Sequence, residues 1–309
     1  MTPRTIADDA PGCRRTDGGA DRLIVALDVP DLEEAWKIVR ELDGTVSHYK
    51  VGPHLFVRGL IDFIADLKDR GNNVFLDFKS FDIGDTIRGM VAQAARLGVD
   101  FMTIGRAAST IVAATEARGD RSKPKILVIT LLTDQSEEDM RAEYNTKEKV
   151  EEFVARKAVE AELAGADGVV CSPKEIAAVR KAVPREDFLI VTPGIRPAGA
   201  AHHDQKRVGT PGLAVTQGAN YLVVGRPIIK AANRREAVKR ILGEIELEAL
   251  CSRTVYESQS TRIIYKQGLR SRTNAIEREH VTDGGECWCN PAYELAPGGA
   301  YVVVHRKAQ

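Results

Sequence analysis

In the stretch "VFLDFKSFDIGDTI", Val74 to Ile87, an apolar run with the pattern of a buried strand ends in Asp77, Lys79 and Asp82. Ionised side chains are costly to bury unless they pair or do chemistry. A lysine flanked by carboxylates is a poor general base, but it suits a reaction that builds negative charge on carbon and then protonates it. Two more charges stand near the ends of earlier apolar runs, Asp28 in "LIVALDV" and Lys50 in "VSHYKVG". A later run leads into "LLTDQS", which carries Thr133 and Ser136. A second group fits an anion. Gly225 permits close backbone approach, Arg226 can pair with phosphate through two N–H groups, and Gln205 adds a side-chain donor. Arg196 lies in the same Gly- and Pro-rich stretch, "VTPGIRPAGAAHHDQKRVGTPG".

Such groups need a frame that brings them together. From Asp21 onward, short β-rich runs alternate with longer amphipathic segments. The strands are expected at 23–29, 46–52, 73–79, 100–105, 125–132, 168–172, 188–194 and 221–226. Between them lie helical stretches such as "LEEAWKIVRELD" and "VEEFVARKAVEAELAG". "ARLGVD" and "ELAGAD" each close a helix on glycine and open the next strand. Eight such units over residues 21 to 250 predict an α/β fold, a (β/α)₈ TIM barrel, of the usual size of about 250 residues. An open doubly wound sheet built for a dinucleotide requires a glycine-rich turn after its first strand, and "ALDVPDLEEAW" has none. In a barrel the strand ends share one rim, so Asp28, Lys50, Asp77 and Lys79 are expected to converge there. Asp77 and Lys79, two apart on one strand, are expected on one face. The loops after the last two strands are the usual phosphate cradle.

The 44 basic and 44 acidic side chains cancel, which gives no general reason to expect nucleic acid as a partner. No apolar run approaches the roughly 18 residues of a membrane span. Residues 1–20 lack the apolar core of a secretory signal and are expected to be disordered. Five scattered cysteines do not form a disulfide framework, so a cytoplasmic location is expected.

"DFKSFDIGDT" resembles the Asp-x-Lys-x-x-Asp-Ile-x-x-Thr signature of the orotidine 5′-monophosphate decarboxylase family. "ALDV", "YKVG", "LLTDQS", "PGIRPAG", "DQKR" and "VVGRP" are similar to its other motifs, in the same order, over about residues 21–245. The resemblance implies that Lys50, Asp77, Lys79 and Asp82 form a charged catalytic network. Asp82, with Ile83 and Thr86, would be donated to the active site of a neighbouring subunit in a homodimer. Asp28 and Lys50 would contact ribose, Ser136 the pyrimidine, and Gln205 and Arg226 the phosphate, with Thr133, Arg196 and Gly225 lining the same site. The substrate would be a nucleotide, orotidylate, which loses CO₂ in pyrimidine biosynthesis without a cofactor or metal, and residues 196–210 would be a lid. Many members carry a histidine near the end of the fourth strand, where this chain reads "TIGRA".

The alternative on the same barrel is a Mg²⁺-dependent keto-sugar-phosphate decarboxylase or aldolase sharing the Asp-x-Lys-x-x-Asp core. The "LLTDQS" and "DQKR" segments argue against it. Residues 251–309 fall outside the barrel pattern and form a C-terminal extension. There, Cys287, Cys289, His280 and His305 are of the types that bind Zn²⁺, although Cys-x-Cys is tighter than the usual spacing. A small hairpin over "ECWCNPAYELAPGGAYVVVHR" is the preferred reading.

Overall fold

The computed structural model describes residues 19–197, 207–260, 292–295 and 301–304. Residues 1–18 of the segment expected to be disordered (1–20), most of the expected lid, Gln205, Cys287, Cys289, His280 and His305 lie outside them, while Gly19 and Ala20 begin a 3-10 turn, Gly19–Arg22. The chain divides into two units, Met1–Ala249 and Leu250–Gln309.

The first unit is a closed barrel of eight parallel strands in sequential order. Its elements are β1 (Leu23–Ala26), α1 (Leu32–Leu42), β2 (His48–Val51), α2 (Leu60–Asp69), β3 (Asn73–Ser80), α3 (Gly84–Arg96), β4 (Phe101–Ile104) and α4 (Ala108–Arg118). They continue with β5 (Lys125–Ile129), α5 (Glu137–Tyr144), α6 (Val150–Leu163), β6 (Gly168–Val170), α7 (Ile176–Ala182), β7 (Leu189–Thr192), α8 (Pro211–Thr216), β8 (Tyr221–Val224) and α9 (Arg226–Ile229). The last helix is α10 (Arg234–Ser260). In the second unit β9 (Ala292–Leu295) pairs antiparallel with β10 (Tyr301–Val304), the expected hairpin.

Helix α1 shows how local sequence sets an element. Asp31 caps it by accepting the Glu34 N–H at 2.8 Å. Ala35, Ile38, Val39 and Leu42 then turn one stripe into the layer between helices and barrel. A second apolar cluster fills the barrel itself: Ile24, Ala26, Phe75, Phe101, Leu127, Val191 and Val223, with Tyr221 against it. Phe101 stacks edge-on with Phe75 and Tyr221, the centroids 6.0 and 4.9 Å away. This plug decides what sits above it. Side chains alternate along a strand, so two residues beyond Phe75 comes Asp77, and two beyond Phe101 comes Thr103.

The floor of the barrel carries a repeated clasp. Helices α3, α6 and α8 each run out on a glycine of positive φ (Gly98, Gly165, Gly218), followed two residues later by Asp100, Asp167 or Asn220. Each of those side chains accepts a backbone N–H from the preceding strand: Val74 at 2.7 Å, Ile126 at 2.8 Å and Ile190 at 2.7 Å. The acids are further held by cations, Asp100 by Lys68 and Lys123, and Asp167 by Arg118 and Lys125.

Candidate active site

At the rim, Asp28, Lys50, Asp77 and Lys79 form one chain of alternating charge. Lys50 Nζ lies 3.0 Å from Asp28 Oδ1 and 3.2 Å from Asp77 Oδ2. Lys79 Nζ lies 2.9 Å from the same Asp77 Oδ2. Lys50 and Asp77 are buried, while the Lys79 side chain is 42% exposed and Asp28 is half-buried. Burial alone would favour the neutral forms. For Asp77, burial pushes the carboxyl up, but Lys50, Lys79 and the Thr103 hydroxyl more than reverse this, leaving it below the usual carboxylate range. Burial likewise pulls Lys50 down, and Asp77 and Asp28 carry it above the ordinary lysine value. A buried carboxylate and a buried ammonium thus hold each other ionised. Gly52 gives this arrangement room, because a Cβ there would lie 3.4 Å from Lys50 Nζ and 3.3 Å from Asp77 O.

Asp77 and Lys79 meet, but not through regular strand alternation. Between Leu76 and Ser80 the register with β4 shifts, and Lys79 has φ of +50°. Left-handed backbone at a lysine costs on the order of 1–3 kcal/mol and persists only where its surroundings enforce it. The enforcing residue is Thr103 on β4, fully buried. Its Oγ1 accepts the Lys79 N–H at 3.0 Å and donates to Asp77 Oδ1 at 2.9 Å. Sequence reading passed over Thr103. The signal was available in its place two residues beyond the inward Phe101.

Asp82 does not join this network. It is exposed, and its carboxylate accepts its neighbour Ile83 N–H at 2.7 Å. Ile83, 72% exposed, Phe81 at 70% and Thr86 share this outward edge of the β3–α3 segment. Phe81 lies over Gly105, where an added Cβ would fall 2.2 Å from Phe81 Cδ2. The glycine in "TIGRA" is therefore the seat of the loop that carries Asp82.

The remaining site residues line the same rim. Thr133 and Ser136 follow β5, both partly buried. Ser136 caps α5, accepting Asp139 N–H at 3.2 Å and donating through its own N–H and hydroxyl to Asp139 Oδ2. Beyond β7, Arg196 is buried and donates its backbone N–H to Gly209 O at 2.9 Å, while Gly209 N–H returns to Gly194 O at 3.3 Å. These bonds join Gly194 and Arg196 to Gly209. Gly225 ends β8 beside the first strand, so that a Cβ there would stand 3.6 Å from Asp28 Oδ2, and Arg226 opens α9 directly after it. Among the described residues, no group of three or more His, Cys, Asp or Glu is arranged to hold a metal ion.

Comparison with known proteins agrees with this geometry. The sequence profile described as "Orotidine 5'-phosphate decarboxylase / HUMPS family" matches residues 21–241. The orotidine 5′-phosphate decarboxylase of Bradyrhizobium diazoefficiens is 44% identical over 245 residues, covering 79% of this chain and 98% of that protein. That of Afipia carboxidovorans is 46% identical over 226 residues, covering 73% and 94%. The crystal structure of orotidine 5′-phosphate decarboxylase from Lactobacillus acidophilus superposes with a TM-score of 0.63 at 35% identity, covering 73% of this chain and 99% of that one. Both the barrel with its charged rim and the match across almost the whole length of these relatives lead to one statement: the chain belongs to the orotidine 5′-phosphate decarboxylase / HUMPS family.

Proposed function

We propose that this chain decarboxylates orotidine 5′-monophosphate to uridine 5′-monophosphate in pyrimidine biosynthesis. The observation that carries the reading is the Asp28–Lys50–Asp77–Lys79 chain, in which one buried carboxylate is shared by two ammonium groups. In this reading the C6–carboxylate bond breaks and its electron pair stays on C6. Asp77, kept ionised, stands beside the departing carboxylate. Lys79 stabilises the carbanion and transfers a proton from Nζ to C6, then regains one from solvent. Charge fixed in place before the reaction needs no reorganisation during it, which makes it the largest catalytic contribution available here. Asp28 and Lys50 hold ribose; Arg196, Gln205, Gly225 and Arg226 hold phosphate; Thr133 and Ser136 face the pyrimidine. To bind the base through its hydroxyl, Ser136 must exchange a bond it now makes to Asp139.

The working form is a homodimer in which Asp82, Ile83 and Thr86 complete the site of the other subunit. The exposed Phe81 and Ile83 on that edge support this, since large apolar side chains presented together mark an interface. The chemistry belongs to residues 21–250, and no step is assigned to 251–309. No helix among the described residues is long and apolar enough to cross a membrane, which is compatible with a cytoplasmic enzyme. The keto-sugar-phosphate alternative is not favoured, because the curated relatives at 43–46% identity are named orotidine 5′-phosphate decarboxylase.

Two measurements test the reading. Purified protein mixed with orotidylate in EDTA should turn over, seen as the change in pyrimidine absorbance. Turnover only of a keto-sugar phosphate, and only with Mg²⁺, would reject it. Lys79→Ala and Asp82→Ala should each be nearly inactive, yet mixing them under subunit exchange should restore activity at the one site that receives neither lesion. Verified heterodimers without activity would remove Asp82 from the partner's site.

A further inference from the structure

Arg207 has no role in the chemistry above, yet it is buried, with Nη2 hydrogen-bonded and Nη1 in an ion pair. It lies on the second arm of the β7–α8 connection. Its Nη2 donates to two successive carbonyls beyond β5, Leu131 O at 3.2 Å and Leu132 O at 2.6 Å. Its Nη1 stands 2.9 Å from Glu175 Oε1, and both side chains of this pair are almost completely buried, at 8% and 1% exposure. Glu175 comes from the 3-10 turn Pro173–Glu175 after β6. The arm is pressed onto that turn, since a Cβ on Gly209 would lie 2.5 Å from Pro173 Cβ. From the other side Arg106, beyond β4, donates to the preceding carbonyl, Thr130 O, at 3.3 Å. Two guanidinium groups from opposite directions therefore hold three consecutive carbonyls, 130 to 132, at the root of the segment bearing Thr133 and Ser136.

A buried ion pair is a poor way to gain stability, because desolvation of the two charges offsets most of their attraction. What a planar, forked donor supplies is geometry, and lysine cannot reproduce it. We propose that Arg207 is a positioning residue for base recognition: fixed by Glu175, it seats the Leu131–Leu132 carbonyls and so sets the Thr133–Ser136 segment against the pyrimidine. The proposal rests on the assignment of that segment to the base.

The test compares two ligands that share ribose and phosphate but differ in the base, UMP and ribose 5-phosphate. Arg207→Lys keeps the charge beside Glu175 and removes the fork. Losing two hydrogen bonds of ordinary strength should weaken UMP binding about tenfold or more. Ribose 5-phosphate binding should stay within about twofold. Arg207→Met, which fills the space without charge, should show the same asymmetry; if it fails to fold, Arg207→Lys decides alone. Equal weakening of both ligands, or of neither, overturns the proposal. Ser136→Ala and Thr133→Ala serve as the reference. If they weaken UMP selectively and Arg207→Lys does not, the loop assignment stands and Arg207 has no part in it. If neither reference variant affects UMP, the loop assignment falls and the proposal falls with it.

Discussion

The backbone N–H of Lys79 donates to Thr103 Oγ1 at 3.0 Å, so a hydroxyl of β4 holds the left-handed residue of β3 in place. The same hydroxyl gives its proton to Asp77. Thr103→Val keeps the shape and removes both bonds. With one net hydrogen bond contributing about 1 kcal/mol, kcat should fall about tenfold or more. UMP binding should hold within about threefold, because nothing that contacts ribose or phosphate has moved. An unchanged kcat would show that Lys79 is positioned by something else.

On the proposed mechanism, Lys79→Ala removes both the cation beside the developing carbanion and the proton donor. Loss of a single preorganised donor typically lowers the rate by about 10² to 10³, and a residue with both roles should exceed that. Its side chain is largely outside the core, so the melting temperature should change little. Activity above about a tenth of wild type would exclude the proposed mechanism.

Gly105→Ala places a methyl group against one edge of the Phe81 ring, 2.2 Å from Cδ2. The ring must move, and with it the segment that presents Asp82 and Ile83. Displacement of a positioned group by about 1 Å can lower a rate by roughly 10². kcat/KM should fall by about tenfold to a hundredfold, and Phe81→Ala on the same background should recover part of it. No loss in the single variant would show that the segment is seated independently of Phe81.

Asp100→Asn tests the barrel floor. Burial pushes the Asp100 carboxyl up, but hydrogen bonds from Lys123, Lys68 and the Val74 N–H bring it below its ordinary value. A carboxyl whose folded pKa is depressed stabilises the protein above its unfolded pKa of about 3.9, and that contribution is lost as pH falls through the folded value. At pH 7 the variant should be less stable by about 1.5–3 kcal/mol, the usual range for hydrogen bonds to a charged group, since Asp100 is buried while Lys68 and Lys123 are partly exposed. The gap between the two unfolding curves should close as pH falls below about 4. A gap independent of pH would assign the loss to packing rather than charge.

The alternation of strand and helix, and the placement of Asp28, Lys50, Asp77 and Lys79 on one rim, were legible because a barrel converts strand order directly into spatial order. Periodicity also located the helices, as α1 and α6 show. What escaped was local and cooperative. Neither the positive φ of Lys79 nor the register shift at Leu76–Ser80 has a sequence signature, since both belong to contacts between β3 and β4, the Lys79–Thr103 bond among them. The buried pair of Arg207 and Glu175 joins residues from two different loops, and the chain alone does not show which loops touch. The capping of α5 by Ser136 was readable as Ser-x-x-Asp.

The clasps of the floor also bear on how the chain finds its fold. Asp100 reaches back 26 residues to Val74, Asp167 reaches 41 to Ile126, and Asn220 reaches 30 to Ile190. Each clasp closes a short loop and joins two neighbouring strands without help from the rest of the chain. The seam between β1 and β8 is of another kind, since Leu23 opposite Leu222 brings together the two ends of the barrel sequence. Loop-closure entropy rises with length, and long-range pairing must await shorter contacts that offset its cost. Assembly should therefore proceed as locally stapled pairs that accumulate in order, with the β1–β8 seam closing last and opening first. Native-state hydrogen exchange would show it as weaker protection of β1 amides than of β3, β5 and β7, and uniform protection around the ring would contradict it.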